Sequence, residues 1–299
     1  MKKFSIVSIV FLFIFTMSAC SESTSPEKAM INYESEEGTV EVYENPERVV
    51  VLSSFLTGHV LAANGNVVGA TSWDFLNATY EEHLQDASVV SEEDIEGILA
   101  LEPDLILAQP GIANLDQIKE IAPTVIFTYG NLNYLDQYIE IAKLLSYEEE
   151  AITWVDNFQE DAQSLGKEIK ALYGADVSVS VIESFGKELY VYGSNWGRGT
   201  EILYQEMELS MPEAVENDAL EPGFYAISTE VVDEYMGDFV IKSMHVDADT
   251  SFEQTSHYQA TSAYQNGRIL EVDGTSFSYN DPLTLQWQLD TFEAFFKGE

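Results

Sequence analysis

Positive charge is what this chain has least of: its 299 residues carry 13 Lys and Arg against 52 Asp and Glu, a formal net charge of −39. So few cations exclude nucleic acid as a partner, because phosphate binding needs a basic face. Arginine is scarcer still, present only as Arg48, Arg198 and Arg268. The one cysteine, Cys20, excludes an internal disulfide and leaves the body of the chain without a cysteine-based metal site. His59, His83, His245 and His257 are scattered and make no metal-ligand spacing, so no metal site is assigned. No nucleophile elbow, phosphate loop or pair of catalytic carboxylates stands in a credible context, and no catalytic residue is assigned. So dense an acidic surface is what a salty or alkaline habitat favours, where excess charge keeps proteins soluble.

What is present begins with a secretory signal. Lys2 and Lys3 precede the apolar run Phe4 to Phe15, which is too short and wrongly flanked for a membrane-spanning helix. The run ends in Met17-Ser18-Ala19-Cys20, which resembles the bacterial lipobox, whose cysteine is acylated and becomes the first residue after cleavage. Residues 1–19 are therefore expected to be a signal peptide and Cys20 a lipid anchor. Residues 20–38, polar and containing Pro and Ser, are expected to form a flexible tether, with folding beginning near Thr39. About 260 residues remain, enough for one large domain or two lobes.

Apolar runs of strand length at Val49 to Ser53, Val67 to Thr71, Asp104 to Ala108 and Thr124 to Phe127 alternate with helical patterns. That alternation predicts parallel β units with helices on both faces. Tyr147 to Leu172 then holds no proline and only one glycine, Gly166, and carries Ile152, Val155, Phe158, Leu165, Ile169 and Leu172 at helical spacing. A helix of that length spans about 39 Å, enough to bridge two lobes. The strand pattern resumes at Val177 to Glu183 and Leu189 to Tyr192. An internal echo points to related lobes: Glu96 precedes Asp104-Leu-Ile-Leu by the same interval as Glu230 precedes Asp238-Phe-Val-Ile. The expected fold is therefore α/β, two Rossmann-like lobes joined by a single long helix: residues 39–146, the connector 147–172, and residues 173–299.

Three segments carry a resemblance: Asn45-Pro-Glu-Arg-Val-Val-Val, Glu96-Gly-Ile-Leu-Ala-Leu-Glu-Pro-Asp-Leu-Ile and Leu189-Tyr-Val-Tyr-Gly-Ser-Asn-Trp-Gly-Arg-Gly. With them the chain resembles, from about Thr39 to its end, the substrate-binding lipoproteins of ABC transporters for ferric siderophores, the iron-hydroxamate branch above all. The first two segments are shared with cobalamin and haem binders, and the third is more specific to hydroxamates. The resemblance implies two α/β lobes joined by one long helix, a ligand in a shallow cleft between them, and small lobe motion on binding. It also implies a monomer that delivers a ferric hydroxamate siderophore to a membrane permease, with iron held only by the siderophore.

A ferric hydroxamate presents an apolar linker around metal-bound oxygens, so its site needs aromatic walls and a donor aimed at those oxygens. Trp196 offers the wall and Arg198 the donor, its guanidinium flanked by Gly197 and Gly199 in place of acids that would pair with it. Read without the resemblance, the same segment is equally a glycine-rich turn with a buried Trp and a surface Arg. The resemblance carries over Tyr190, Trp196, Arg198 and, from the other lobe, Tyr129 as ligand contacts, with Tyr279 either a further aromatic at the cleft or a structural tyrosine. Phe55, Trp73 and Phe185 end or follow strands, where aromatics more often fill core. Glu96 and Glu230 match the glutamates that meet permease arginines, although an acid in a first helical turn also suits the helix dipole. Hydroxamate complexes are near neutral or cationic and suit so acidic a chain better than triscatecholates do. A haem or cobalamin binder, with Tyr129 or His257 as an axial ligand, and a secreted acidic hydrolase are the alternatives.

Overall fold

The computed structural model describes residues 29–298. Cys20, the signal peptide and most of the expected tether lie outside the described residues. Folding begins earlier than expected, because β1 (Met30–Ser35) and β2 (Gly38–Tyr43) pair as an antiparallel hairpin. Tyr33 and Val42 point inward from it and are buried against the first lobe. Its turn also reaches the cleft region, since the Glu36 carboxylate accepts bonds from Thr128 N–H at 3.1 Å and Asn131 Nδ2 at 3.1 Å, on either side of Tyr129.

The first lobe is a five-stranded parallel sheet in the order β5-β4-β3-β6-β7, built from β3 (Val49–Val51), β4 (Val67–Ala70), β5 (Ser88–Val89), β6 (Leu105–Ala108) and β7 (Thr124–Ile126). Val49, Val50, Val51, Ile106 and Leu107 are wholly buried, because a parallel sheet is covered on both faces and its strands read as unbroken apolar runs. Helices α1 (Ser54–Ala62), α2 (Ile95–Ala100) and α3 (Leu115–Lys119) lie in the crossovers, and α4 (Tyr134–Leu144) follows the last strand and leads out of the sheet.

The 26-residue helix α5 (Glu148–Tyr173) then leads to the second sheet. Glu148, Glu149 and Glu150 fill its first turn, where acids suit the helix dipole. Ala151, Val155, Phe158, Ala162, Leu165 and Ile169 form its buried stripe, whereas Ile152 and Leu172, expected on that stripe, are exposed.

The second sheet has the order β10-β9-β8-β11-β12, from β8 (Val179–Phe185), β9 (Glu188–Tyr192), β10 (Phe224–Ile227), β11 (Phe239–Met244) and β12 (Ile269–Asp273). It is mixed instead of all parallel. Gly186, at φ +60°, turns the chain within two residues, so β9 runs back antiparallel to β8, and β10 pairs antiparallel to β9. Short helices α6 (Glu213–Ala219), α7 (Ser256–Gln259) and α8 (Ser262–Gln265) cover this sheet.

The sequence echo has a structural counterpart. The Asp104 carboxylate accepts from the N–H groups of Glu47 and Arg48 at 2.7–3.0 Å, joining the starts of neighbouring strands β6 and β3. Asp238 does the same for Ser178 at 3.0 Å, joining the starts of β11 and β8.

The last helix, α9 (Pro282–Lys297), ties the lobes a second time, because it packs on both α5 and α1. Its N-cap, Asp281, accepts from Leu283 and Thr284 N–H and also from the Tyr80 hydroxyl of the first lobe at 2.6 Å. Gly58 on α1 lets this carboxylate approach, since a Cβ there would lie 2.1 Å from Asp281 Cγ. Gly58→Ala is therefore expected to lose roughly 2 kcal/mol of stability, read as a lower urea midpoint at unchanged slope; an unmoved midpoint would show that the cap yields freely.

Candidate functional site

The strand ends of both sheets open onto one cleft of about 540 Å³ between the lobes. Chain reversals at the carboxyl ends of strands are where α/β folds place their ligands, because there the loops diverge to either side of the sheet. From the first lobe, Phe55 follows β3, Trp73 follows β4 and Tyr129 follows β7. All three are exposed, so Phe55 and Trp73 are not the core residues expected from their strand-end positions. Phe185, at the end of β8, is likewise exposed and lines the cleft.

The facing wall comes from β9 and β10 and the loop after β9. Tyr190, Trp196 and Phe224 form one aromatic surface, with Phe224 5.1 Å from Trp196 and 6.0 Å from Tyr190 between ring centroids. Tyr129 meets Trp196 at 6.0 Å across the lobes and Phe55 at 5.0 Å on its own side. Tyr279 is mostly buried, 6.4 Å from Phe55 and 5.8 Å from Tyr80, and forms the back of the cleft. Burial pushes the Tyr129 and Tyr279 hydroxyls up to about 12, so both remain neutral donors at pH 7.

The Trp196–Gly199 loop is held in an uncommon conformation. Gly197, Arg198 and Gly199 all have left-handed backbones, with φ of +67°, +58° and +78°. At Gly197 a side chain is also excluded by contact, because a Cβ would lie 2.0 Å from the Ser278 carbonyl oxygen. Trp196 N–H donates to Thr200 Oγ1 at 3.1 Å, and Gly197 N–H donates to Glu201 Oε1 at 3.0 Å. Glu201 is buried, and burial pushes its carboxyl above the ordinary range even though Gly197, Thr200 and Asn280 all donate to it.

Arg198 is not the unpaired arginine that its glycine neighbours implied. Its Nε donates to Glu183 Oε1 at 2.9 Å, its Nη2 to Glu183 Oε2 at 3.1 Å and its Nη1 to the Trp196 carbonyl at 2.7 Å. Its guanidinium carbon lies 4.4 Å from the centre of the Tyr192 ring. The partner comes from β8, across the hairpin, so residues next to Arg198 in sequence say nothing about it. Glu183 also receives the Tyr192 hydroxyl, Ser243 Oγ at 3.2 Å and sits 3.0 Å from His245 Nε2. Burial pushes the Glu183 carboxyl up, but the His245 bond and the Arg198 charge outweigh it and hold it at about 2. Its stabilising contribution is therefore full above its ordinary value near 4.5 and is lost as pH falls towards 2. A guanidinium has five N–H bonds, and three are used here, which leaves one on Nη1 and one on Nη2.

Tyr129, Tyr190, Trp196, Arg198 and Tyr279 thus share one cleft. Glu183, Tyr192, Phe224 and His245 also line it and were missed; the available signal was an acid closing the apolar run before Glu183. His257, the axial candidate in the haem alternative, does not line it and lies 3.4 Å from Asp233. Glu96 and Glu230 are both exposed, one on each lobe. Glu96 lies in the first turn of α2, and Glu230 three residues beyond β10, which runs parallel to β8. Both therefore stand at the carboxyl edges of their sheets, the edges that border the cleft. Among the described residues no helix is long and apolar enough to cross a membrane, and no group of three or more His, Cys, Asp or Glu is placed to hold a metal ion.

A sequence profile of the family described as Periplasmic binding protein matches residues 49–275. The chain is 27% identical to the Iron(3+)-hydroxamate-binding protein YxeB of Bacillus subtilis (strain 168), over 97% of this chain and 95% of that protein. It is 28% identical to the Iron(3+)-hydroxamate-binding protein FhuD of the same organism, over 97% and 96%. Among solved structures, the FhuD protein from S. pseudintermedius matches with a TM-score of 0.80 at 31% identity, covering 90% of this chain and 98% of that one. FhuD2 from Staphylococcus aureus with bound ferrioxamine B matches at 0.79 and 27%, covering 84% and 98%. The chain belongs to the periplasmic binding protein family, on its iron-hydroxamate branch, whose members are binding proteins and not enzymes.

Proposed function

We propose that this protein captures a ferric hydroxamate siderophore in the inter-lobe cleft and delivers it to the permease of an ABC transporter. The observation that carries this reading is an aromatic cleft whose one arginine keeps two N–H bonds free while its charge is matched by Glu183. Trp196, Phe224 and Tyr190, with Tyr129 joining them from the other lobe, pack on the apolar linker of the ligand, with Tyr279 behind. Arg198 donates its remaining N–H bonds to the metal-bound oxygens. Iron arrives chelated, so the protein supplies no metal ligand. A cleft of about 540 Å³ has the size of a small-molecule site, and the named relatives and the ferrioxamine-bound neighbour support the ligand class.

A lipid on Cys20 holds the protein at the outer face of the bacterial cell membrane and raises its effective concentration near the permease. Glu96 and Glu230, one on each lobe beside the cleft, orient the docked complex on permease arginines. The protein acts as a monomer, and the membrane contact is made through the lipid.

Ferrioxamine B or ferrichrome will quench the intrinsic fluorescence of the purified protein, and Trp196→Ala will weaken binding by roughly tenfold or more, as loss of a central aromatic does. Silence towards every ferric hydroxamate, with tight binding of haem instead, would reject the reading. Cells carrying Glu96→Ala with Glu230→Ala will take up limiting siderophore several times more slowly although ligand affinity is unchanged, whereas normal uptake would remove the docking role. Cys20→Ala will end incorporation of labelled palmitate and release the protein from the membrane fraction; continued labelling would contradict the anchor.

A further inference from the structure

We infer that Glu183 sets the charge class of ligand: by cancelling Arg198 it makes the cleft a set of uncharged walls with two donors, open to neutral and cationic ferric complexes and closed to polyanionic ones. The inference rests on the hydroxamate reading and names the residue that enforces it.

Three observations carry it. Among the residues that line the cleft, Glu183 and Arg198 are the only permanently charged pair, with His245 as the one other ionisable base. Tyr129, Tyr190, Tyr192 and Tyr279 line it with their rings and hydroxyls, and the rest carry no acidic or basic side chain. The cleft thus brings one guanidinium and one carboxylate, placed back to back.

The second observation is how firmly the carboxylate is kept in place. Its side chain is 3% exposed and that of Arg198 18%, so ligand meets the guanidinium while the acid lies beneath it. Both carboxylate oxygens are bonded, Oε1 to Arg198, Ser243 and His245 and Oε2 to Arg198 and Tyr192. Arg198 cannot turn fully towards a ligand without leaving a buried carboxylate unpaired, which is strongly unfavourable. It offers hydrogen bonds but little net field.

The third is the surroundings. No lysine and no second arginine lines the cleft, and buried Glu201 lies behind Gly197, accepting its N–H. With the whole chain at −39, a polyanionic complex finds no uncompensated cation in the cleft and repulsion outside it. The surface contribution is screened by salt, whereas the buried pair is screened much less.

The test uses ferrioxamine B, which bears a pendant ammonium, and its N-acetyl and N-succinyl derivatives. These share one iron-binding core and carry net charges of about +1, 0 and −1 at neutral pH, following the ordinary pKa values of amine and carboxyl. Affinities are measured by fluorescence at low and high salt at one pH. Glu183→Gln keeps the shape but uncovers Arg198, and will move the affinity ratio of the N-succinyl complex to ferrioxamine B towards the anion by on the order of tenfold or more at both salt concentrations. Arg198→Gln uncovers the opposite charge and will move the ratio towards the cation, a change of sign that a merely structural loss does not produce. Glu216→Gln, an exposed acid on α6, will leave the ratio at high salt unchanged. Wild-type binding with a ratio unmoved in both cleft variants would overturn the inference alone. Failure of the wild-type protein to bind any of the three would overturn the hydroxamate reading and this inference with it.

Discussion

The site depends on the ion pair between Glu183 and Arg198. A buried pair of this kind adds little net stability, because desolvating both charges offsets their attraction. Its effect is positional. The carboxylate draws the guanidinium back onto the Tyr192 ring, and the guanidinium in turn holds the Trp196 carbonyl. Together with Glu201 beneath Gly197, this secures three successive left-handed residues that a free loop would not keep. Trp196 is therefore presented to the cleft in a fixed orientation before any ligand arrives, which lowers the ordering cost of binding.

The lobes that carry the two walls are tied at several points. Helix α5 joins them along the chain, and α9 returns from the second sheet to pack on α1. Asp281 caps α9 and receives Tyr80 from the first lobe, and Tyr134 on α4 donates to the buried Glu206 at 2.6 Å. Each tie couples a rigid element of one lobe to the other, so relative motion of the lobes on binding is expected to be small. Capture then relies on a preformed aromatic cleft more than on closure.

Much of this was legible in the sequence, for identifiable reasons. The parallel strands of the first lobe were readable because burial on both faces makes them continuous apolar runs, and α5 because its apolar stripe repeats over seven turns. The glycines around Arg198 read as a turn, and the resemblance placed that segment at a cleft. What stayed hidden was non-local. Glu183 meets Arg198 only because Gly186 folds β9 back on β8, a pairing that local composition does not reveal. The same turn made the second sheet mixed. Phe55, Trp73 and Phe185 read as core because their strands are core, whereas Phe185 ends its strand and Phe55 and Trp73 lie a few residues beyond theirs, where the chain emerges into the cleft. The β1–β2 hairpin was masked by its acids, which left Tyr33 and Val42 as the few inward-pointing residues of an otherwise polar stretch.

The acidic surface and the neutral cleft belong to one electrostatic design: charge is abundant outside, and inside it is paired. A crystal structure of the protein with ferrioxamine B tests this most directly. The account predicts the complex in the cleft against Tyr129, Tyr190, Trp196 and Phe224, with Arg198 still paired to Glu183 and its two remaining N–H bonds on hydroxamate oxygens. A ligand bound elsewhere, or Arg198 swung away from Glu183 to meet it as a bare cation, would contradict the account.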